Sequence, residues 1–236
     1  MKIAAAQIHT DDDDLEANLA SHYRLIEIAA NKQVRLIVFP EMSLTGYHRE
    51  KADGLSFTLD DERLDKLKIL AASKNIIVVA GAPIKINLQL HIGCFILLPD
   101  GRTLVYTKQF LHSGEELFFT PSFEFNPILE VENEKISFAI CADISHAAHA
   151  ENASLKGTTL YIASIFYTRN GIKKGHEDLS SYSRKHAMKI LMANYTGQSY
   201  TLDAGGRSAY WANTGKIITR LDKEEDMLII ETCPDE

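Results

Sequence analysis

Ile136-Ser137-Phe138-Ala139-Ile140-Cys141-Ala142-Asp143 is the stretch on which the reading of this chain turns. Its first five residues, mostly apolar with β-branched and aromatic members, predict a buried strand. The run stops at a cysteine, followed by a small residue, a carboxylate and the helix-prone Ala147-Ala148-His149-Ala150-Glu151. In open α/β sheets ligands collect at the carboxyl ends of the strands. Cys141 stands at such an end, which makes it a candidate nucleophile. A lone cysteine more often packs as a small hydrophobe, so the rest of the chain has to supply its partners.

Upstream, Lys2 to Ile8 is a short apolar run, read as a strand. The acids Asp11 to Asp14 suit the start of a helix, and Leu15, Leu19, Tyr23, Ile26 and Ala30 recur on one helical face. Val34 to Phe39 is the next strand and ends in Pro40-Glu41. Leu64, Leu67, Leu70 and Ala71 predict a second helix, followed by a strand from Ile76 to Ala80 that Gly81-Ala82-Pro83 is expected to break. His91 to Leu98 and Arg102 to Thr107, joined by Pro99-Asp100-Gly101, read as a hairpin, and Lys108 follows at once. Ile128 to Val131 and Lys135 to Ile140 form another hairpin, whose second strand delivers Cys141.

The second half repeats the alternation. Helices are expected at residues 144 to 156 and Asp178 to Met188, with strands at Thr158 to Ser164 and Ile190 to Asn194. Arg207 to Trp211, Lys216 to Arg220 and Met227 to Glu231 close the pattern. With no linker and no repeat, residues 1–236 read as one α/β domain, helices outside and strands inside.

Composition narrows the function. The chain is 45% hydrophobic and 24% charged, as expected of a globular protein. A net charge of −7 argues against nucleic acid or an anionic membrane as partner. No apolar run approaches the ~20 residues of a membrane helix. Three well-separated cysteines, Cys94, Cys141 and Cys233, argue against a disulfide framework and for a reducing compartment. Met1-Lys2 leads directly into a strand pattern rather than a signal peptide, so a cytoplasmic location is expected.

Glu41, Lys108 and Cys141 each follow an apolar run, so one sheet edge is expected to gather them. A thiol must lose its proton to attack. A carboxylate can take that proton, and a lysine can stabilise the thiolate and the oxyanion of an attacked carbonyl. The backbone N–H of Ala142 is placed to be a second oxyanion donor. Together these groups make a complete set for acyl transfer through a thioester, although each residue singly has a structural reading.

Phe39-Pro40-Glu41-Met42-Ser43-Leu44-Thr45-Gly46-Tyr47 resembles the first signature of the nitrilase superfamily, the carbon–nitrogen hydrolases. Tyr106-Thr107-Lys108-Gln109-Phe110-Leu111 resembles its lysine motif, and Ile140-Cys141-Ala142-Asp143-Ile144 its cysteine motif. Met192-Ala193-Asn194 and Gly206-Arg207-Ser208-Ala209-Tyr210 resemble later family segments. The resemblance implies an α-β-β-α sandwich that assembles as a homodimer or larger homo-oligomer. It also implies Glu41 as general base, Lys108 as stabiliser of the tetrahedral intermediate and Cys141 as acyl carrier. A further family glutamate falls on Glu115, with Glu116 the alternative.

The implied activity is cofactor-independent hydrolysis of a small linear amide or N-carbamoyl compound, with water as second substrate. A nitrile substrate, a Cys–His enzyme using His146 or a distant histidine, and a non-catalytic binding protein are the rival readings. The chain departs from the family pattern at Ser145-His146-Ala147-Ala148-His149 and at Lys185, where a glutamate is common. Tyr47 and Phe166 are candidate substrate contacts, with Tyr167 beside them. His146 and His149, three apart on an expected helix, lack the further ligands a metal site needs. No nucleotide loop or serine-hydrolase elbow is present. Asp143 is assigned to helix capping, and substrate specificity to the loops 42–58, 109–122 and 165–177.

Overall fold

A computed structural model describes residues 1–12, 14–224 and 226–232, so Asp13 of the acidic run and Cys233 lie outside the described residues. The chain opens with β1 (Lys2–Gln7), α1 (Leu15–Asn31), β2 (Leu36–Val38), a short α2 (Ala52–Leu55) and α3 (Asp65–Lys74). Three long neighbours follow: β3 (Ile77–Ile86), β4 (Gln89–Leu97) and β5 (Thr103–Thr107). Next come β6 (Leu129–Val131), β7 (Glu134–Ile140), α4 (Ala147–Leu155), β8 (Leu160–Ser164), α5 (Ile172–His186) and β9 (Lys189–Ala193). The small hairpin β10 (Gln198–Ser199) and β11 (Leu202–Asp203) precedes β12 (Ala209–Trp211), β13 (Ile217–Arg220) and β14 (Asp226–Glu231).

The strands form two six-stranded sheets, ordered β14-β1-β2-β3-β4-β5 and β13-β12-β9-β8-β7-β6. In each sheet the three consecutive strands joined through helices are parallel and the flanking pairs are antiparallel. Alternation along the first sheet explains the layering. Ile3, Ala5, Leu36, Val38, Ile77 and Val79 enter one core together with Phe138, Ile140 and Ile162 of the second sheet. Ala4, Ala6, Ile37, Val78 and Ala80 enter another core with Leu19, Leu25 and Ile26 of α1 and Leu67 of α3. Both faces of each strand are therefore covered, which is why these strands read as continuous apolar runs. Burying each large aliphatic chain of α1 contributes roughly 1.5–3 kcal/mol. The Asp14 side chain starts that helix by accepting the N–H of Ala17 at 2.9 Å. The molecule is the expected α-β-β-α sandwich.

Gly81-Ala82-Pro83 does not end its strand; β3 runs on to Ile86, paired with β4 throughout. β2 has stopped by then, and the carbonyl of Pro83 faces the vacated side, where it accepts the N–H of Phe57 at 2.9 Å. The missing proline N–H therefore falls away from the β4 ladder. α5 begins at Ile172, six residues before the expected start. A glycine and two lysines hid its first turns, and the glycine has a packing reason: a Cβ on Gly175 would lie 2.2 Å from Cε2 of Tyr167. The expected helix over 144 to 156 divides into a tight 3-10 turn, Cys141–Ser145, and α4. Among the described residues no helix is long and apolar enough to cross a membrane.

Candidate active site

Glu41, Lys108 and Cys141 do meet, but not along one sheet. Glu41 follows β2 and Lys108 follows β5, both in the first sheet; Cys141 follows β7 in the second. β3 runs parallel to β2, and β4 and β5 each reverse direction, so β5 again runs parallel to β2 and their carboxyl ends coincide. The site closes where the ends of the two packed sheets face each other.

The Glu41 turn is pinned on several sides. Met42 adopts a left-handed conformation (φ 51°), and the N–H of Leu44 donates to the carbonyl of Gly81 at 2.9 Å. Gly81 admits this approach because a Cβ there would lie 2.5 Å from both Met42 N and Pro40 O. From the second sheet, the Tyr195 hydroxyl donates to the Glu41 carbonyl at 2.5 Å and Ser164 Oγ donates to the Phe39 carbonyl at 2.9 Å. His22, held near neutrality by burial that lowers its pKa to about 4, contacts Ser43 Oγ at 3.0 Å.

Lys108 Nζ donates to Glu41 Oε1 at 2.7 Å and to Glu115 at 2.9 Å, and all three side chains are fully buried. The two carboxylates have different surroundings. Glu115 also accepts the Tyr47 hydroxyl on Oε1 and the N–H of His112 on Oε2 at 2.7 Å. Glu41 Oε2 is buried with no hydrogen-bond partner. Burial raises the Glu41 pKa to about 7, Lys108 opposes that rise, and Glu115 adds to it. Burial alone would lower the pKa of Lys108, but Glu41, Cys141 and Glu115 raise it, so the ammonium persists. Glu116 is exposed and turns away to the N–H of Gly114 at 2.6 Å, leaving Glu115 as the glutamate that meets the lysine.

Cys141 carries φ 41°, in the left-handed region that costs a non-glycine residue about 1–3 kcal/mol. Its Sγ lies 3.6 Å from the Phe166 carbonyl. Burial pushes the thiol pKa up, Glu41 pushes it further and Lys108 pulls it back. The resting group is therefore a protonated thiol, beside a carboxylate that titrates near neutrality.

Asp143 does more than cap. Its Oδ1 accepts the N–H groups of Gln109 and Phe110 at 3.0 and 2.9 Å. Its Oδ2 accepts the Ile140 N–H at 2.8 Å and the Tyr106 hydroxyl at 2.6 Å. One carboxylate thus ties the lysine strand end to the cysteine turn.

A cavity of about 370 Å³ opens onto Glu41, Cys141 and Ala142, with Tyr47 and Phe166 in its wall, their ring centroids 5.0 Å apart. Tyr167 lines it as well, its backbone held by Asn194 at 2.8 Å. Arg49, Tyr200, Leu202, Lys174 and Asp178 also line it and were not singled out from sequence. Tyr200 and Leu202 sit on a hairpin too short for periodicity to reveal.

His146 is the extended residue before α4 and stacks on Phe110 at 3.9 Å, whereas His149 is buried between Tyr106 (2.9 Å) and Tyr161 (2.6 Å). Neither ring lines the cavity. Lys185 is exposed. Among the described residues no group of three or more His, Cys, Asp or Glu side chains is placed to hold a metal.

With this geometry in place, comparison with known proteins is decisive for the family, because residues 2–236 match the carbon-nitrogen hydrolase family. The chain belongs to the carbon–nitrogen hydrolases. It is 27% identical to a probable nitrilase of Schizosaccharomyces pombe, over 98% of this chain and 87% of that one. It is 26% identical to a glutamine-dependent NAD(+) synthetase of Aquifex aeolicus, spanning 98% of this chain but 42% of that longer protein. Among solved structures, this hydrolase superposes on the amidase from Nesterenkonia sp. AN1 with a TM-score of 0.89 at 20% identity, covering 99% and 93% of the two chains. That amidase is known with acrylamide added to its active-site cysteine and, in a cysteine variant, with butyramide bound.

Proposed function

We propose that this carbon–nitrogen hydrolase cleaves the C–N bond of a small amide through a thioester on Cys141, and that residues 1–236 act as one catalytic domain. The observation that carries the reading is the buried Lys108, clamped at 2.7 and 2.9 Å between Glu41 and Glu115 beside a thiol held on a left-handed turn at the cavity wall. In the first step Glu41 takes the thiol proton as sulfur attacks the amide carbon. Lys108 and the N–H of Ala142, in the first turn after β7, stabilise the oxyanion. Glu41 then gives its proton to the departing amine, ammonia for a primary amide, and the C–N bond breaks to leave the thioester. Water, deprotonated by Glu41, attacks the thioester; the acid leaves and the thiol is restored.

Glu115 holds Lys108 in place, its own oxygens taken by Tyr47, Lys108 and His112. Tyr47 and Phe166 supply apolar contact for the acyl chain. The Cys–His alternative loses His146, which stacks on Phe110 outside the cavity; the histidine that does line the cavity, His112, has its Nδ1 facing the Ser113 carbonyl at 3.1 Å.

The test is ammonia release from a panel of short amides, N-carbamoyl compounds and the matching nitriles, together with intact-mass detection of the acyl adduct. Wild type is expected to release ammonia from amides and to carry the adduct; Cys141→Ala is expected to do neither, while His146→Ala does both. Activity retained by Cys141→Ala refutes the thioester. Faster turnover of nitriles, the class for which the yeast relative is named, leaves the thioester standing but replaces the substrate class.

A further inference from the structure

We propose that Arg49 binds a carboxylate at the far end of the substrate, so that the preferred substrates are monoamides of short dicarboxylic acids. This rests on the amide-hydrolase reading above and adds the part of the substrate that the catalytic residues do not touch.

Arg49 opens the 3-10 turn Arg49–Lys51 and lines the same cavity as Glu41 and Cys141. Its guanidinium is held by aromatic faces rather than by an acid, with Cζ 4.7 Å from the Tyr200 ring centroid and 5.9 Å from that of Tyr47. Its Nε is buried and has no hydrogen-bond partner. The neighbouring Glu50 is engaged elsewhere, accepting the Tyr200 hydroxyl at 2.5 Å and facing His48 Nδ1 at 3.5 Å.

Every other lysine or arginine lining this cavity already has an acid. Lys174 pairs with Asp178, one helical turn along α5. Lys108, just behind the wall, is held by Glu41 and Glu115. Among the described residues Arg49 forms no ion pair; its guanidinium also hydrogen-bonds the Tyr200 side chain, so it is the cation of the cavity whose charge no acid has claimed. The aromatic contacts and the single hydrogen bond to Tyr200 fix the guanidinium while leaving most of its N–H groups, which preorganises it for a two-point contact with a carboxylate.

Tyr47 sets the distance between the two ends of the substrate. Its ring lies under Arg49 while its hydroxyl donates to Glu115, which touches Lys108. The carboxylate subsite and the oxyanion-stabilising lysine are thus joined by one rigid side chain. A cavity of about 370 Å³ suits a short chain spanning them. A purely aliphatic tail would cover the guanidinium and leave its donors unpaired, so the site discriminates against such amides.

The experiment compares kcat/KM, by ammonia release, for three matched pairs: the monoamides of succinic, glutaric and adipic acid against butyramide, pentanamide and hexanamide. Wild type is expected to prefer the anionic member of at least one pair. In Arg49→Gln that preference is expected to shrink by about 10- to 150-fold, the range for losing hydrogen bonds between charged groups. Arg49→Lys, which keeps charge but loses the planar edge, is expected to fall in between. A wild type that favours the neutral amides, or a preference that survives Arg49→Gln, overturns the proposal. A second measurement does not depend on chemistry: thermal stabilisation of the Cys141→Ser protein by each compound, with and without Arg49→Gln. Equal stabilisation by anionic and neutral members refutes the carboxylate site whether or not wild type turns them over. Arg49-dependent binding of the anion with no ammonia release from any amide would instead sink the hydrolase reading and leave the carboxylate site standing.

Discussion

Replacing Glu41 by glutamine is expected to make the protein inactive and, at alkaline pH, more stable. Glutamine keeps the shape of a protonated glutamate and can still accept from Lys108. In the folded protein burial raises the Glu41 pKa from 4.5 to about 7. A carboxyl whose folded pKa lies above its unfolded value favours the fold while protonated. Its contribution is present at low pH and is lost as pH rises from about 4.5 to 7, because over that window the folded state holds the proton longer. A shift of this size corresponds to about 2–3 kcal/mol lost between pH 5 and pH 8, which glutamine does not lose.

For a chain of this length that difference is worth roughly 5–10 °C in melting temperature. Melts of both proteins at pH 5 and pH 8, followed by circular dichroism, isolate it, since titrations remote from Glu41 cancel between variant and wild type and burial keeps the neighbouring thiol pKa raised in both. The difference between Glu41→Gln and wild type is expected to move in favour of the variant on going to pH 8. Amide hydrolysis is expected to fall by about 10²–10⁴-fold, the usual contribution of a general base. A melting difference that is flat with pH, or that moves towards wild type at pH 8, refutes the raised carboxyl. Activity within tenfold of wild type refutes the base.

The second carboxylate is expected to respond with the opposite sign. Glu115→Gln turns an amide donor onto an atom that now accepts from Tyr47, Lys108 or His112, so it should lower stability at both pH values by about 1–3 kcal/mol per donor left unpaired. Its kcat should fall more than its KM rises, and a stabilised Glu115→Gln at pH 8 would undo the division of labour between the two residues. Asp143→Ala orphans the N–H groups of Ile140, Gln109 and Phe110 and the Tyr106 hydroxyl at once. Urea unfolding should show a loss on the order of 4 kcal/mol; a loss under about 1 kcal/mol would mean that Asp143 does not tie the two loops together.

The candidate catalytic residues are legible in the sequence because they sit where strand periodicity breaks. Glu41, Lys108 and Cys141 each end an apolar run, and runs covered on both faces are the strongest signal a sandwich writes into a chain. The same signal carries no information about which sheet a run joins. Hence one edge was expected where two sheets meet. Asp143 was read as a cap because its partners across the fold, the N–H groups of Gln109 and Phe110, are main-chain donors and leave no mark on composition. The start of α5 was hidden by Gly175, a residue chosen by contact with Tyr167 and not by helix propensity. The short hairpin β10–β11, which places Tyr200 and Leu202 on the cavity, is set by tertiary contacts such as the Ser199 hydroxyl donating to Asp12 at 2.8 Å.

What the fold adds to the sequence motifs is an asymmetry between two glutamates on one lysine. Both are buried, both lie within 2.9 Å of Nζ, and residue type cannot separate them. The difference lies in who else is present. Glu115 receives a phenol and a backbone N–H in addition to the ammonium, so both of its oxygens have donors. Glu41 receives the ammonium on one oxygen and leaves the other bare, so burial wins and its pKa climbs to about 7. A thiol whose own pKa is pushed up needs a neighbour of this kind, ionised often enough at neutral pH to take a proton and basic enough to hold it until the amine departs. The third group, Lys108, stays charged throughout because the two carboxylates outweigh its burial. In the proposed mechanism the cation that stabilises the oxyanion is thereby kept separate from the group that moves the proton.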